Sequence, residues 1–192
     1  MDIVAAAALL TGLSPLLLAL AALVKLTSRG PALYRWRVVG RHGHPFVSYK
    51  FRSMVANADA LKPQLLGQNE MTGPVFKLTL DPRVTPLGRW LRRYSLDELP
   101  QLWSVLVGDM SLVGPRPLPV RDYEGFNEDW QRRRFSVKPG ITCLWQVGGR
   151  SDIPFDQWMR LDLQYLDEWS LWLDLKILTR TVPAVLRGSG AA

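Results

Sequence analysis

From Ile3 to Val24 the chain runs for 22 residues without a charge, broken only by Thr11, Gly12, Ser14 and Pro15. At ~1.5 Å per residue a straight helix of this length reaches roughly 33 Å, enough to cross a bilayer. A cleaved signal peptide fits poorly, because no basic region precedes the run and it exceeds a usual signal core. Ser14-Pro15 complicates a simple span. A mid-helix proline removes one hydrogen bond and clashes with the carbonyl four residues back, here Thr11. In lipid the freed carbonyls need local partners, which the Thr11 and Ser14 hydroxyls can supply, and Gly12 weakens the same turn. Two readings stay open on these residues: a single transmembrane anchor, or a kinked helix that dips into one leaflet and returns.

Charge decides the orientation. The net charge of +7 is confined to one block: Lys25, Arg29, Arg35, Arg37, Arg41, Lys50 and Arg52 lie between residues 25 and 58 with no acid among them. Residues 59–192 carry 17 basic and 16 acidic groups and are nearly neutral. Cations flanking the C-terminal side of an apolar segment place residues 25–192 on the cytoplasmic side, against anionic headgroups. Taken alone, the block also fits a membrane-anchored basic module for anionic lipid or nucleic acid, though no aromatic stacking motif accompanies it. The single cysteine, Cys143, excludes an internal disulfide and reads as buried rather than reactive.

Beyond the membrane segment, period-2 alternation over Phe46–Arg52 predicts a strand with Lys50 and Arg52 on one face. Residues 56–73 read as a short helix and a mobile loop, and Val75–Leu80 as a second strand stopped by Asp81-Pro82. Leu87–Tyr94 predicts a short basic helix, and Leu99–Val107 a helix closed by Gly108. Gly114-Pro115-Arg116-Pro117-Leu118-Pro119 cannot be regular structure. Tyr123–Phe135 reads as a polar helix, residues 154–169 as an amphipathic one, and Leu171–Leu186 as a last apolar helix. Trp169 and Trp172 suit either core or membrane interface.

The best chemical candidate is Ser95-Leu96-Asp97-Glu98-Leu99-Pro100. Ser-x-x-Glu is a capping box with proline in the first turn, so Asp97 and Glu98 would stand at a helix N-terminus, where the dipole and nearby Arg92 and Arg93 favour ionised carboxylates. An ionised Asp is a possible nucleophile, and its Glu neighbour a ligand for a hard cation such as Mg²⁺; simple helix capping explains the hexapeptide equally well. Arginine outnumbers lysine 18 to 6, and its planar fork suits phosphate. Arg116 sits between two prolines, and Arg83 and Arg150 stand in turns where backbone can approach a ligand. His42 and His44 lack the companions a metal site needs.

Taken in order, Tyr49-Lys50-Phe51-Arg52-Ser53-Met54, Asp81-Pro82-Arg83-Val84-Thr85, residues 92–102, Gly108–Pro117 and Lys138-Pro139-Gly140-Ile141-Thr142 strongly resemble the bacterial sugar transferase family, the monotopic polyprenyl-phosphate phosphoglycosyl transferases. The resemblance covers nearly the whole chain. It implies an α+β fold: a mostly helical catalytic domain with a small β element over residues 27–192, behind a re-entrant membrane helix over residues 1–26 broken at Ser14 and Pro15. It implies that Asp97 attacks the β-phosphate of a UDP-sugar, expelling UMP, and that a polyprenyl phosphate then takes the sugar phosphate. Glu98 would help bind Mg²⁺, and Lys50, Arg52, Arg92, Arg116 and Arg150 would lie near phosphate or nucleotide. It places the protein at the cytoplasmic face of the bacterial inner membrane, with a hexose donor and no nucleic acid, and leaves the oligomeric state open. Three positions depart from the family pattern: Trp36 and Val38 stand where Gln and Arg are usual, and Cys143 where Gly is usual. Larger members carry further transmembrane helices upstream, so this is either a small member or the catalytic part of a longer protein.

Overall fold

The apolar segment folds as two helices, α1 (Asp2–Gly12) and α2 (Ser14–Thr27), bent by 64° at Leu13. The computed structural model of the protein describes residues 1–126, 128–148 and 153–188. Ser14 Oγ donates to Thr11 O at 2.7 Å, replacing the N–H that Pro15 lacks, and Thr11 Oγ1 donates to Ala7 O at 2.9 Å. Pro15 falls in the first turn of α2, where a missing N–H leaves nothing unsatisfied. The proline therefore ends one helix and begins another. None of the described helices is by itself long and apolar enough to cross a bilayer.

Both ends of the bent pair touch the body of the protein. At the start, the Asp2 carboxylate accepts from Ser111 Oγ at 2.6 Å. At the end, Arg52 Nη2 donates to Ser28 O and Ser28 Oγ, both at 2.8 Å, satisfying the carbonyl end of α2. Between them, Ala6 packs with Leu102, Val105 and Met110, and Leu20 and Val24 pack with Phe51 and Leu91. Ile3, Val4, Leu9, Leu16, Leu18, Leu23 and Leu26 remain exposed.

The predicted strand is present as β2 (Pro45–Phe51), antiparallel to β1 (Leu33–Val39), with Tyr34 opposite Lys50 and Trp36 opposite Ser48. Helix α3 (Ala58–Leu65) follows, then the expected basic helix α4 (Pro86–Arg93), capped by Thr85. The strand expected over Val75–Leu80 is absent. Asn69 and Glu70 take its backbone instead: Asn69 accepts from Lys77 N and donates to Val75 O, and Glu70 accepts from Thr79 N. A 3₁₀ turn (Leu96–Gln101) leads into α5 (Leu102–Leu106), so the helix expected from residue 99 begins three residues earlier in tighter form.

Strand β3 (Ser111–Val113) pairs in parallel with β5 (Gly140–Thr142), while β4 (Leu118–Pro119) joins the far edge of β1, so the end of the proline-rich stretch read as irregular is a short edge strand, where proline is tolerated. A Cβ on Gly140 would lie 2.1 Å from Gly114 N, so only glycine permits this approach beside the Pro-Arg-Pro turn. The single helix expected over 123–135 is instead α6 (Val120–Glu124), α7 (Asp129–Arg132) and a 3₁₀ turn (Arg133–Ser136). Twelve helical residues would separate Tyr123 from Phe135 by about 18 Å, yet their rings meet at 4.9 Å. Folding back lets Phe126, Phe135, Phe155 and Trp158 share one core. Helices α8 (Leu144–Gly148), α9 (Phe155–Asp167) and α10 (Leu171–Arg187) complete the chain. Trp169 and Trp172, 61% and 75% exposed, are not core residues.

Helix α4 lies so close to the strand bridge at Met54 that a Cβ on Gly88 would fall 1.8 Å from Ser53 O. Gly88→Ala is expected to lose about 1–3 kcal/mol of stability. Gly67→Ala, which meets nothing within 4 Å, should change it by less than about 0.5 kcal/mol. Chemical denaturation of both variants checks the contrast.

Candidate active site

Asp97 and Glu98 sit on the 3₁₀ turn after α4, each 7% exposed. The turn does not form the expected capping box. Ser95 is left-handed (φ 51°) and its hydroxyl caps nothing. That sharp reversal, rather than a helix dipole, presents the two carboxyls to a cavity of about 1000 Å³ lined by Lys50, Arg52, Arg92 and Arg116 among others.

Glu98 is clamped. Lys50 Nζ, from β2, donates to its Oε1 at 2.7 Å. Arg116, from the Pro-Arg-Pro turn, engages both oxygens, Nη2 to Oε1 and Nη1 to Oε2, the latter at 3.1 Å. The bidentate fork and the ammonium bring two separate chain segments to one carboxylate. The Trp36 ring lies 4.3 Å from Lys50 Nζ and adds a cation–π contact. Asp97, by contrast, accepts no hydrogen bond among the described residues.

The two carboxyls consequently diverge. Burial alone would raise Glu98, but Arg116 and Lys50 outweigh it and hold the group well below its ordinary value. Burial and then the negative charge of Glu98 push Asp97 up, against the pull of Lys50, Arg92 and Arg116. Against the pull expected from a helix terminus and nearby arginines, desolvation is the largest influence on Asp97 and raises it from its ordinary value. Adjacent groups driven apart in this way suit different roles: Glu98 is a fixed anion, and Asp97 a basic, uncommitted carboxylate. Burial likewise lowers Lys50, with Glu98 opposing.

The other site candidates divide. Arg92 lines the cavity and donates from Nε to Ser53 Oγ at 2.9 Å. Arg52 also lines it, but its Nη2 is committed to the end of α2, while Nε and Nη1 are buried without partners. Arg83 is paired internally, Nη2 to Asp81 Oδ2 at 2.6 Å and Nη1 to Ala58 O at 3.3 Å. Arg150 lies outside the described residues. Ser14 and Pro15 form the helix break, apart from the cavity. Cys143 is buried, its thiol pushed well up by desolvation. The basic block also splits: Lys25, Arg29, Arg35, Arg37 and Arg41 are exposed, while Lys50 and Arg52 turn inward. Reading the sequence missed Ser53 and the Trp36–Lys50 contact as parts of the site; the diagonal Trp36/Lys50 relation across a hairpin was the available signal.

The donor set can be tested against Mg²⁺. No group of three or more potential ligands occurs among the described residues, so these do not by themselves form a cation cage. Mg²⁺ is commonly held by one or two carboxylates together with substrate phosphates and water. Glu98 Oε2 accepts one hydrogen bond and keeps a second lone-pair direction, and the Asp97 carboxyl oxygens accept none among the described residues. These residues fit a cation shared with a phosphate ligand.

Comparison with known proteins gives a consistent set. The sequence model of the family described as bacterial sugar transferase matches residues 1–188. The chain is 53% identical over 163 residues to the galactosyl transferase CpsE of Streptococcus agalactiae, covering 84% of this chain and 36% of the relative. It is 47% identical to the undecaprenyl-phosphate galactose phosphotransferase of Salmonella typhimurium, covering 84% and 35%. It is 42% identical to the UDP-glucose:undecaprenyl-phosphate glucose-1-phosphate transferase of Caulobacter vibrioides, covering 100% and 70%. The chain thus spans about a third of the length of the first two relatives.

Removing the clamped anion should be costly. Glu98→Gln leaves Lys50 and Arg116 facing each other and is expected to lose roughly 3 kcal/mol, part of which Lys50→Met in the same chain restores. Glu98 has a folded-state pKa below its ordinary 4.5, so its stabilisation is present above that pH and fades as pH falls below it. Urea denaturation across that range should show the fade in wild type and its absence in Glu98→Gln.

Proposed function

The chain belongs to the bacterial sugar transferase family, and from that membership we propose that it transfers a sugar-1-phosphate from a UDP-sugar to a polyprenyl phosphate, releasing UMP. This is the first membrane step of exopolysaccharide, capsule or O-antigen assembly, with undecaprenyl phosphate as acceptor and a UDP-hexose as donor. The names of the Salmonella and Caulobacter relatives support the acceptor and the hexose-1-phosphate group. The single observation that carries the reading is the contrast within one dipeptide: Asp97 unengaged, Glu98 clamped by Lys50 and Arg116.

In the first step an Asp97 oxygen attacks the β-phosphorus and the bond to the α-phosphate oxygen breaks. UMP leaves with that electron pair, and the sugar phosphate stays as an acyl phosphate on Asp97. In the second step a phosphate oxygen of the polyprenyl phosphate attacks the same phosphorus, freeing Asp97 and forming the polyprenyl diphospho-sugar. Splitting the transfer keeps the two anionic substrates from meeting directly. Mg²⁺, held by Glu98 and Asp97 together with substrate phosphate, would supply charge neutralisation. Arg116, Lys50 and Arg92 line the cavity as fixed cations toward the developing charge.

A lipid-linked acceptor calls for a site at membrane level. We read α1 and α2 as re-entrant, entering and leaving one leaflet, with the catalytic part on the cytoplasmic face. The 64° bend and the contacts of both ends with one body, Asp2 to Ser111 and Ser28 to Arg52, support this. The five exposed cations of residues 25–41 suit anionic headgroups, and the exposed Trp169 and Trp172 suit the interface.

Purified protein with labelled UDP-sugar and Mg²⁺ is expected to release UMP without any lipid acceptor and to retain label. Asp97→Asn should abolish both, and release surviving that change would overturn the covalent role. For topology, a cysteine added ahead of Met1 should react with an impermeant maleimide only after the cells are opened; labelling of intact spheroplasts would mean a true span. Cys143, being buried, adds little background.

A further inference from the structure

Arg134 and Asp162, each side chain 1% exposed, form the most deeply buried of the ion pairs observed. Arg134 belongs to the 3₁₀ turn before β5 and Asp162 to α9. Arg134 Nε donates to Asp162 Oδ2 at 2.9 Å, and Nη2 lies 2.7 Å from the same oxygen as an ion-pair contact. Two charges withdrawn from water lose several kcal/mol of hydration, and their attraction seldom stabilises more than an apolar pair of equal volume would. Stability alone does not account for this pair.

A second hydrogen bond supplies the reason. Arg134 Nη2 also donates to the main-chain carbonyl of Arg116, at 2.7 Å. Arg116 stands between Pro115 and Pro117, neither of which has an N–H, so the turn has few backbone bonds with which to hold itself. Pro115 O accepts from Gly140 N at 2.9 Å on one side, and Arg116 O accepts from Arg134 on the other. Asp162 Oδ2 accepts from Nε and stands close to Nη2, which fixes the guanidinium plane, while the rings of Phe135 and Trp158 lie 5.1 and 6.0 Å from its centre. From the residue held in this way, the Arg116 side chain reaches out to both oxygens of Glu98.

We propose that Arg134 and Asp162 are positioning residues that hold the Arg116 backbone so that its guanidinium meets Glu98 and the phosphate bound beside it. The pair acts from behind the turn and touches no substrate. The inference rests on the transferase reading above.

The test is a double-mutant cycle on acceptor-free UMP release from UDP-sugar, with kcat, KM and thermal midpoint measured for each protein. Arg134→Met/Asp162→Leu removes both charges at similar volume and leaves the Arg116 carbonyl without its donor. It should keep or raise the midpoint yet lose roughly 10- to 100-fold in UMP release, the scale of a small misplacement. In an Arg116→Ala background the same pair change should cost less than about twofold more, because both changes act through one side chain. Arg134→Lys keeps a counter-charge for Asp162 but cannot span both partners; its smaller loss should vanish in the same background, and it carries the cycle if the double variant does not fold. A pair variant with wild-type rates, or a loss repeated in full on top of Arg116→Ala, overturns the positioning role while wild-type turnover stands. A wild type that releases no UMP overturns the transferase reading, and this inference with it.

Discussion

One carboxylate organises this protein. Glu98 draws Lys50 from the hairpin and Arg116 from the Pro-Arg-Pro turn onto its two oxygens, tying segments 48 and 18 residues away in sequence. Buried charges of this kind tolerate little displacement, since any separation strands desolvated cations. The turn that carries Glu98 is accordingly sharp, with Ser95 left-handed, and its next-door neighbour Asp97 comes to rest in the same cavity without a hydrogen bond to its carboxyl among the described residues. Chemical difference between two adjacent acids thus arises from which of them the cations reach.

The bent apolar helix pair shows a second economy. Pro15 would orphan Thr11 O in an unbroken helix, and Ser14 Oγ satisfies it locally. Farther along, Arg52 turns back to the carbonyl end of α2. One cation of the basic block therefore secures the end of α2, another, Lys50, serves the dyad, and the remainder is exposed. A single net charge covers three different physical tasks.

Legibility followed the range of the interactions. β2, α4, α9 and α10 were readable because their periodicity or capping is local: Thr85 caps α4 and Ser170 caps α10. The strand foreseen over 75–80 failed because Asn69 and Glu70 captured its backbone, and the helix over 123–135 failed because aromatic packing folded it back on itself. The capping-box reading of Ser95 failed at one backbone angle. At the site, Asp97, Glu98 and Arg116 were singled out from residue types and turns and Lys50 from the family resemblance, whereas Arg134 and Asp162 gave no local signal, being an ordinary arginine and aspartate 28 positions apart.

By itself the sequence determined the apolar segment with its breaking proline, the one-sided charge that follows, and the acidic pair beside arginine-bearing turns, because each is a matter of neighbouring residues. Only the tertiary structure decided which carboxylate is clamped and which is free, which arginine faces the cavity and which caps a helix, and what holds Arg116 from behind. Those outcomes depend on desolvation and on charges brought together across the fold, and neither exists until the chain has closed on itself.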